Sequence, residues 1–371
     1  MADEPELKTT TRLKVLNPLL MAWAFIIILL SLTVSWVVFS EDPEAIPEEP
    51  QLVETVTEEM APAVVATETT AEEPTLTETA VSATAIPEIQ IDEKTLSLLD
   101  TQFPLSLAPN ENLLAKGDNG MKPVQGPDGL IAWKEYARPY TGSESGSRIA
   151  IIITDIGLNT KSSTAAIDDL PGTINLAFSP YGRNLQTWMD KARAKGHEGL
   201  LMIPTEPINY PDNDPGPHTL ISDFSARDNL LRLDWLLSQV GGYVGVVNHM
   251  GSKFTAAEEA LTPVLEDLQS RGLMFVDARS TRFSMAARIA RRINMPRAMN
   301  DRYLDNVITS EDIQRQLGEL EKIATTFGAA VGLARATPLT IKEIALWAET
   351  LQDKGIELTP VTAVANRQPI K

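Results

Sequence analysis

Arg148–Asn159 reads R-I-A-I-I-I-T-D-I-G-L-N. Five apolar residues, Ile149 to Ile153, run without a polar interruption and stop at Thr154-Asp155, just before a glycine. A short β-branched run closed in this way predicts a strand buried on both faces, as in a parallel sheet covered by helices. Its C-terminal end then presents Asp155 at the mouth of an α/β fold, where such folds keep their sites.

Downstream of that strand, apolar runs alternate with helical patterns. Further strands are predicted at Ile174–Phe178, Gly199–Ile203, Val244–Val247, Leu273–Val276, Ala329–Leu333 and Glu357–Pro360. Helices fall at Ser162–Asp169, Leu185–Lys195, Ala226–Val240, Ala257–Ser270, Ser284–Ile293, Ser310–Thr326 and Thr340–Lys354. Seven β/α units in about 220 residues imply a parallel sheet, most economically closed as a barrel or partial barrel.

Upstream, the chain changes character. Residues 41–100 hold sixteen Asp/Glu against one Lys, so this stretch carries −15 of the net −18 and leaves the rest at −3. The acidity belongs to a tail, and nothing in the charge points to a nucleic-acid partner. Leu19–Phe39 is a run of about twenty residues without a charge, long enough to cross a membrane. Lys8, Arg12 and Lys14 precede it and Glu41, Asp42 and Glu44 follow, which puts the N-terminus in the cytoplasm and the remainder outside. A cleaved signal peptide is the competing reading; the length of the run and the lack of an A-x-A site favour an uncleaved anchor.

The expected organisation is thus a cytoplasmic tail (1–16), a transmembrane anchor (17–40), a disordered acidic linker rich in Pro, Thr and Ala (41–90), a lead-in (91–146) and the α/β domain (147–366). The linker is read as a spacer holding the domain off the inner membrane, on the periplasmic side. In the lead-in a short helix, Glu93–Leu99, is expected, the aromatics of Trp133–Tyr140 should pack onto the domain, and the Gly/Ser run Thr141–Ser147 should hinge. No cysteine occurs, which excludes disulfides and thiolate metal sites.

Five stretches recur at strand ends: T-D-I-G (Thr154–Gly157), S-P-Y-G (Ser179–Gly182), G-H-E-G-L-L-M-I-P-T-E-P (Gly196–Pro207), N-H-M-G-S (Asn248–Ser252) and V-D-A-R-S-T (Val276–Thr281). A Pro-rich loop, Tyr210–Leu220, lies between them. Together, in order, these stretches resemble the divergent polysaccharide deacetylase family, a distant branch of the NodB-like carbohydrate esterases. The resemblance covers residues 147–366. It implies a distorted (β/α)7 NodB-like barrel, a divalent metal, usually zinc, and an N-acetylated cell-envelope glycan as substrate. It also implies an Asp-Asp pair after the first strand, base then metal ligand, a metal His after G-H-E-x-x-x with a second ligand four residues on, and a late His as general acid.

The chain keeps that pattern only in part. Asp155 matches the metal Asp, but Thr154 stands where the base would be. Met202 replaces the metal His, with Glu206 four residues beyond, and G-L-A-R-A-T-P (Gly332–Pro338) offers Arg335 where the acid would lie. Hydrolysis of this type needs a Lewis acid, a base and an acid, a thioether is a poor zinc ligand in an O/N site, and a threonine takes no proton at neutral pH. Asp155, Glu206 and His249 remain as metal candidates, with Asp155 able instead to cap the following turn and Glu206 able to stand behind the ligands. His249 is also the surviving catalytic candidate. Tyr181, Asn248, Asp277 and Arg279 are read as substrate-binding, with an Asp277–Arg279 ion pair shaping the site; Arg335 could hold an anionic or acetamido group or sit at the surface. His197 and His218 are read as structural. Three functions follow: an envelope protein that binds or processes N-acetylated glycans with a degenerate metal site, an active deacetylase using Asp155, Glu206 and His249, or a scaffold docking proteins through Tyr210–Leu220.

Overall fold

The computed structural model describes residues 103–143 and 145–370. The predicted anchor, acidic linker and Glu93–Leu99 helix lie outside the described residues, and no helix within them is long and apolar enough to cross a membrane.

The lead-in forms a hairpin, β1 (Leu114–Gly117) and β2 (Gly120–Pro123), and one turn of helix, α1 (Ala132–Glu135). It is fastened to the domain. Tyr136 is buried, and the Arg193 guanidinium donates to the carbonyls of Ser106 and Tyr136 at 2.9 and 3.0 Å. Contrary to the hinge expectation, the Gly/Ser run is pinned. The Tyr140 hydroxyl and the Ser143 N–H both bond the Glu357 carboxylate, and Arg148 donates to the Ser143 carbonyl at 2.5 Å.

The frame of the domain is β3 (Ser147–Ile156), whose residues 149–153 are fully buried. Burying each of its isoleucines stabilises the fold by about 2 kcal/mol. Around β3 stand the parallel strands β4 (Asn175–Phe178), β5 (Gly199–Thr205), β6 (Gly245–Met250), β7 (Met274–Asp277), β8 (Arg297–Met299), β9 (Arg302–Tyr303), β10 (Ala329–Arg335) and β11 (Ile356–Leu358). The hydrogen-bonded order is β8-β7-β6-β5-β4-β3-β10-β9. Helices α2 (Thr160–Asp169), α3 (Leu185–Ala194), α4 (Ala226–Leu237), α5 (Glu258–Ser270), α6 (Ala286–Arg292), α7 (Ser310–Phe327) and α8 (Pro338–Ala348) lie between them in the chain.

Helix α7 shows how the sequence specifies these elements. Ile313, Leu317, Leu320 and Ala324 recur at helical spacing and are buried. The Thr309 side chain caps the first turn, and Gly328, at φ 80°, ends the helix in the left-handed region that a side chain disfavours.

The two edges of the sheet, β8 and β9, are separated in the chain only by Asn300 and Asp301. Their backbone amides bond the Asp277 and Val331 carbonyls at 2.8 Å each, so the segment passes from β7 to β10 and draws the ends of the sheet together. This segment is the seventh stave. The predicted strand Glu357–Pro360 is not: it appears as β11 and pairs with the first three residues of β3, beside β4. The sequence R-A-M-N-D-R-Y (Arg297–Tyr303) carries no apolar run, because each half of the stave pairs for only two or three residues.

Candidate functional site

At the C-terminal ends of the strands lies a cavity of about 580 Å³. Thr154 and Asp155 enter it from β3, Met202 from β5, Asn248 and His249 from β6, and Arg335 from β10. Five of these are strand-end positions singled out by the sequence as candidate site residues, and the fold brings them together.

Asp155 owes its position to a bulge. Between Ile153 and Ile156 the β3–β4 register slips by one residue, and Asp155 takes φ 67°. Such a bulge re-aims a side chain out of the sheet alternation. The Asp155 N–H points at the Met202 sulfur, 3.2 Å away. The Thr154 hydroxyl lies 3.3 Å from the Asp155 carboxylate and 3.2 Å from the Ala334 carbonyl, and its one proton serves one of them at a time. Burial holds the His249 imidazole below the ordinary histidine range; the nearby Asp155 charge opposes that shift without reversing it. His249 is therefore neutral at neutral pH and can both donate and accept.

The neighbouring strand ends are locked together. The Asn248 side chain accepts the Ala278 N–H at 2.8 Å and donates to the Met250 carbonyl at 2.8 Å. The same carbonyl accepts the Ser280 hydroxyl at 2.6 Å. Met250 and Arg279 adopt φ 57° and 50°. A Cβ on Gly251, at φ 91°, would stand 2.3 Å from the Thr205 hydroxyl. Asn248 thus shapes the rim as well as lining it. Arg335 is oriented by Asp305, whose carboxylate accepts the Arg335 N–H at 2.8 Å and whose carbonyl accepts its guanidinium at 2.7 Å.

Other candidates sit elsewhere. Glu206 is not in the cavity wall. Its carboxylate accepts the Ser222 N–H at 2.8 Å and pairs with Lys253 at 2.9 Å. Burial alone would raise its pKa, but these two partners outweigh burial and hold it below the ordinary carboxylate range. A second correction concerns Tyr181, whose hydroxyl accepts the His218 N–H at 3.1 Å and whose ring lies against Gly216. It positions the Pro-rich loop, and His218 stacks on Trp235 with ring centroids 3.6 Å apart. Asp277 and Arg279 form no side-chain ion pair: the Asp277 carboxylate, its pKa raised by burial, accepts the backbone N–H of Arg279 at 2.8 Å. The Arg279 side chain lines a separate cleft. His197, as expected, is structural, with its ring nitrogens 2.7 and 3.1 Å from the Ile174 and Ile167 carbonyls.

Sequence reasoning missed Ser280, Tyr303 and Asp305, which also line the cavity. The last two belong to or follow the seventh stave, whose sequence gave no strand signal.

Zinc in a hydrolytic site takes three protein ligands and a water. Here Asp155 and His249 are two, Met202 presents a thioether, and Glu206 is engaged with Lys253. Among the described residues no three His, Asp, Glu or Cys side chains cluster to hold a metal ion. The donor set does not fit zinc.

Fold and site together define an α/β protein with a parallel half-barrel sheet and a large cavity at the C-terminal ends of its strands, the place where this class of fold binds or transforms its ligand. The family model of divergent polysaccharide deacetylases matches residues 151–365, and the chain belongs to that family. An uncharacterised protein of Haemophilus influenzae is 29% identical over 196 residues, 53% of this chain and 69% of that protein. The uncharacterised protein YibQ of Escherichia coli is 24% identical over 195 residues, 53% of this chain and 60% of its own length. A crystal structure of an uncharacterised protein from Agrobacterium tumefaciens is 41% identical, with a TM-score of 0.64, covering 66% of this chain and 99% of that one.

Proposed function

We propose that this protein is a membrane-anchored envelope protein that binds an N-acetylated glycan in the mouth cavity without metal-dependent hydrolysis. The observation that carries the reading is the contrast at one site. The 580 Å³ cavity keeps Asp155 and His249 on its wall, while the side chains that should complete a metal site are a thioether and a carboxylate turned away to Lys253. What remains suits a sugar. Asp155 accepts hydroxyl protons, neutral His249 donates to an acetamido carbonyl, and the side chains of Met202, Val247 and Leu333 offer apolar surface to its methyl group. Leu19–Phe39 would anchor the chain in the inner membrane, with the barrel on the periplasmic side.

The test is calorimetric titration of the purified full-length chain with N-acetylated chito-oligosaccharides, with and without EDTA, alongside an assay for released acetate. Binding that EDTA leaves unchanged, that weakens at least tenfold in Asp155→Asn and that releases no acetate is expected; a charge-assisted hydrogen bond of about 1.5 kcal/mol or more sets that scale. Acetate release abolished by EDTA would replace this reading with the deacetylase. No binding would remove it.

A further inference from the structure

Beside the mouth cavity, and sharing Tyr303 and Asn306 with it, lies a cleft of about 720 Å³. Four arginines line it: Arg279 after β7, Arg282 in the following loop, Arg302 on β9 and Arg315 on α7.

The acidic groups nearby are already used. Arg315 pairs with Asp312, and Glu319 pairs with Lys322 at 2.7 Å. The Asp301 carboxylate accepts the Val331 N–H at 3.0 Å and the Gln368 side chain at 2.6 Å. The Asp277 carboxylate accepts the Arg279 backbone N–H. Among the described residues, Arg279, Arg282 and Arg302 have no carboxylate within ion-pair distance.

Each of these three is nonetheless positioned. Arg279 is held at φ 50° by the bond from its backbone to Asp277. Arg282 lies over the Phe283 ring, 4.7 Å from its centroid. Arg302 donates to the Asp301 carbonyl at 2.8 Å. Asp301 and Glu319 also line the cleft, and Glu319 feels the charges of Arg302 and Arg315, so four guanidinium groups face two carboxylates that already have partners. The excess positive charge is favourably met when an oxyanion enters to accept the guanidinium N–H groups in pairs.

We infer that this cleft receives a negatively charged substituent, a carboxylate or a phosphate, of the glycan whose neutral part lies in the mouth cavity. The ligand is then an acidic glycan, and Tyr303 marks the passage from its acetamido sugar to its charged group. This inference rests on the glycan reading above.

The experiment titrates the full-length chain with three oligosaccharides of equal length: a neutral N-acetylated one, one bearing a carboxylate and one bearing a phosphomonoester. At least one charged ligand should bind about tenfold tighter than the neutral one, with an advantage that shrinks as salt is added. The arm that gains identifies the anion. Arg282→Ala combined with Arg302→Ala should remove the advantage and leave the neutral ligand's affinity unchanged; Arg282→Lys alone should keep the salt dependence. Equal binding of neutral and charged ligands would overturn the anionic cleft while the glycan reading stands. Absence of binding in all three arms would overturn both.

Discussion

Substituting Met202→His should convert the mouth cavity into a zinc site. Met202 is 3% exposed on β5, and its sulfur sits 3.2 Å from the Asp155 N–H. An imidazole at that position stands beside Asp155 and His249 and supplies a third nitrogen or oxygen donor, the number that hydrolytic zinc sites use. The two side chains are close in volume, so repacking costs little, while losing the weak sulfur acceptor costs about 1 kcal/mol. A complete four-ligand protein site binds zinc with about 10–16 kcal/mol, so one added ligand is worth roughly 3 kcal/mol, or about a hundredfold in affinity. Competition of the full-length chain with a fluorescent zinc chelator measures this directly. Adding His249→Ala to the variant should return the affinity to its starting level. Two results would refute the reasoning: wild-type protein binding zinc as tightly as the variant, which would require a third ligand that the geometry lacks, or a variant with unchanged melting temperature and no gain in zinc affinity.

Two further substitutions test the supports around the site. Lys253→Met should lower stability by about 1–2 kcal/mol in thermal melts, because Glu206 is left with only Ser222, although Lys253 is itself 40% exposed and the pair is partly screened. Glu206 has its folded pKa lowered from an ordinary 4.5, so the stability it contributes is present above that value and is lost as pH falls through the folded value; the variant, without the Lys253 charge that lowers this pKa against burial, should lose less stability than wild type on acidification. At the opposite end of β5, burial raises Glu198 to about 7, against the Thr362 and Arg138 hydrogen bonds that lower it. Its contribution is fully present below the unfolded value of 4.5 and is lost as pH rises to about 7, roughly 3 kcal/mol in all. Chemical denaturation of Glu198→Gln across that window should therefore show a smaller fall in stability with rising pH than wild type; a parallel curve would count against a buried titrating carboxyl.

How much of this was readable beforehand depended on how local each determinant is. Strands β3, β5, β6 and β10 announce themselves by apolar runs, since a strand buried on both faces must be apolar at every position. Their C-terminal residues could then be placed at one mouth, which is why Thr154, Asp155, Asn248, His249 and Arg335 were found together. The seventh stave could not be seen, because its two halves take their hydrogen bonds from β7 and β10, which are set far away in the chain. Glu206 follows a strand as a ligand should, yet its direction is decided by Lys253, 47 residues on. Tyr181 is similarly claimed by the His218 N–H. A side chain's position follows from its own strand, whereas its direction follows from whichever distant partner competes for it.

The backbone at the mouth carries a separate argument about purpose. Asp155 in the bulge near the end of β3, Met250 at the end of β6 and Arg279 just after β7 stand around the cavity and its neighbouring cleft, and all three have left-handed φ values. Strain of this kind costs about 1–3 kcal/mol per residue and collects where a ligand is held. Neither Met nor Arg is a residue that tolerates this region easily, and a glycine at 250 or 279 would relieve it. A barrel kept only as a rigid spacer has no use for that cost. The strain does have a use if it aims Asp155 into the cavity and Arg279 into the adjoining cleft. A strained rim of this kind is what the proposed glycan-binding reading requires, because it holds the cavity to the shape of one ligand.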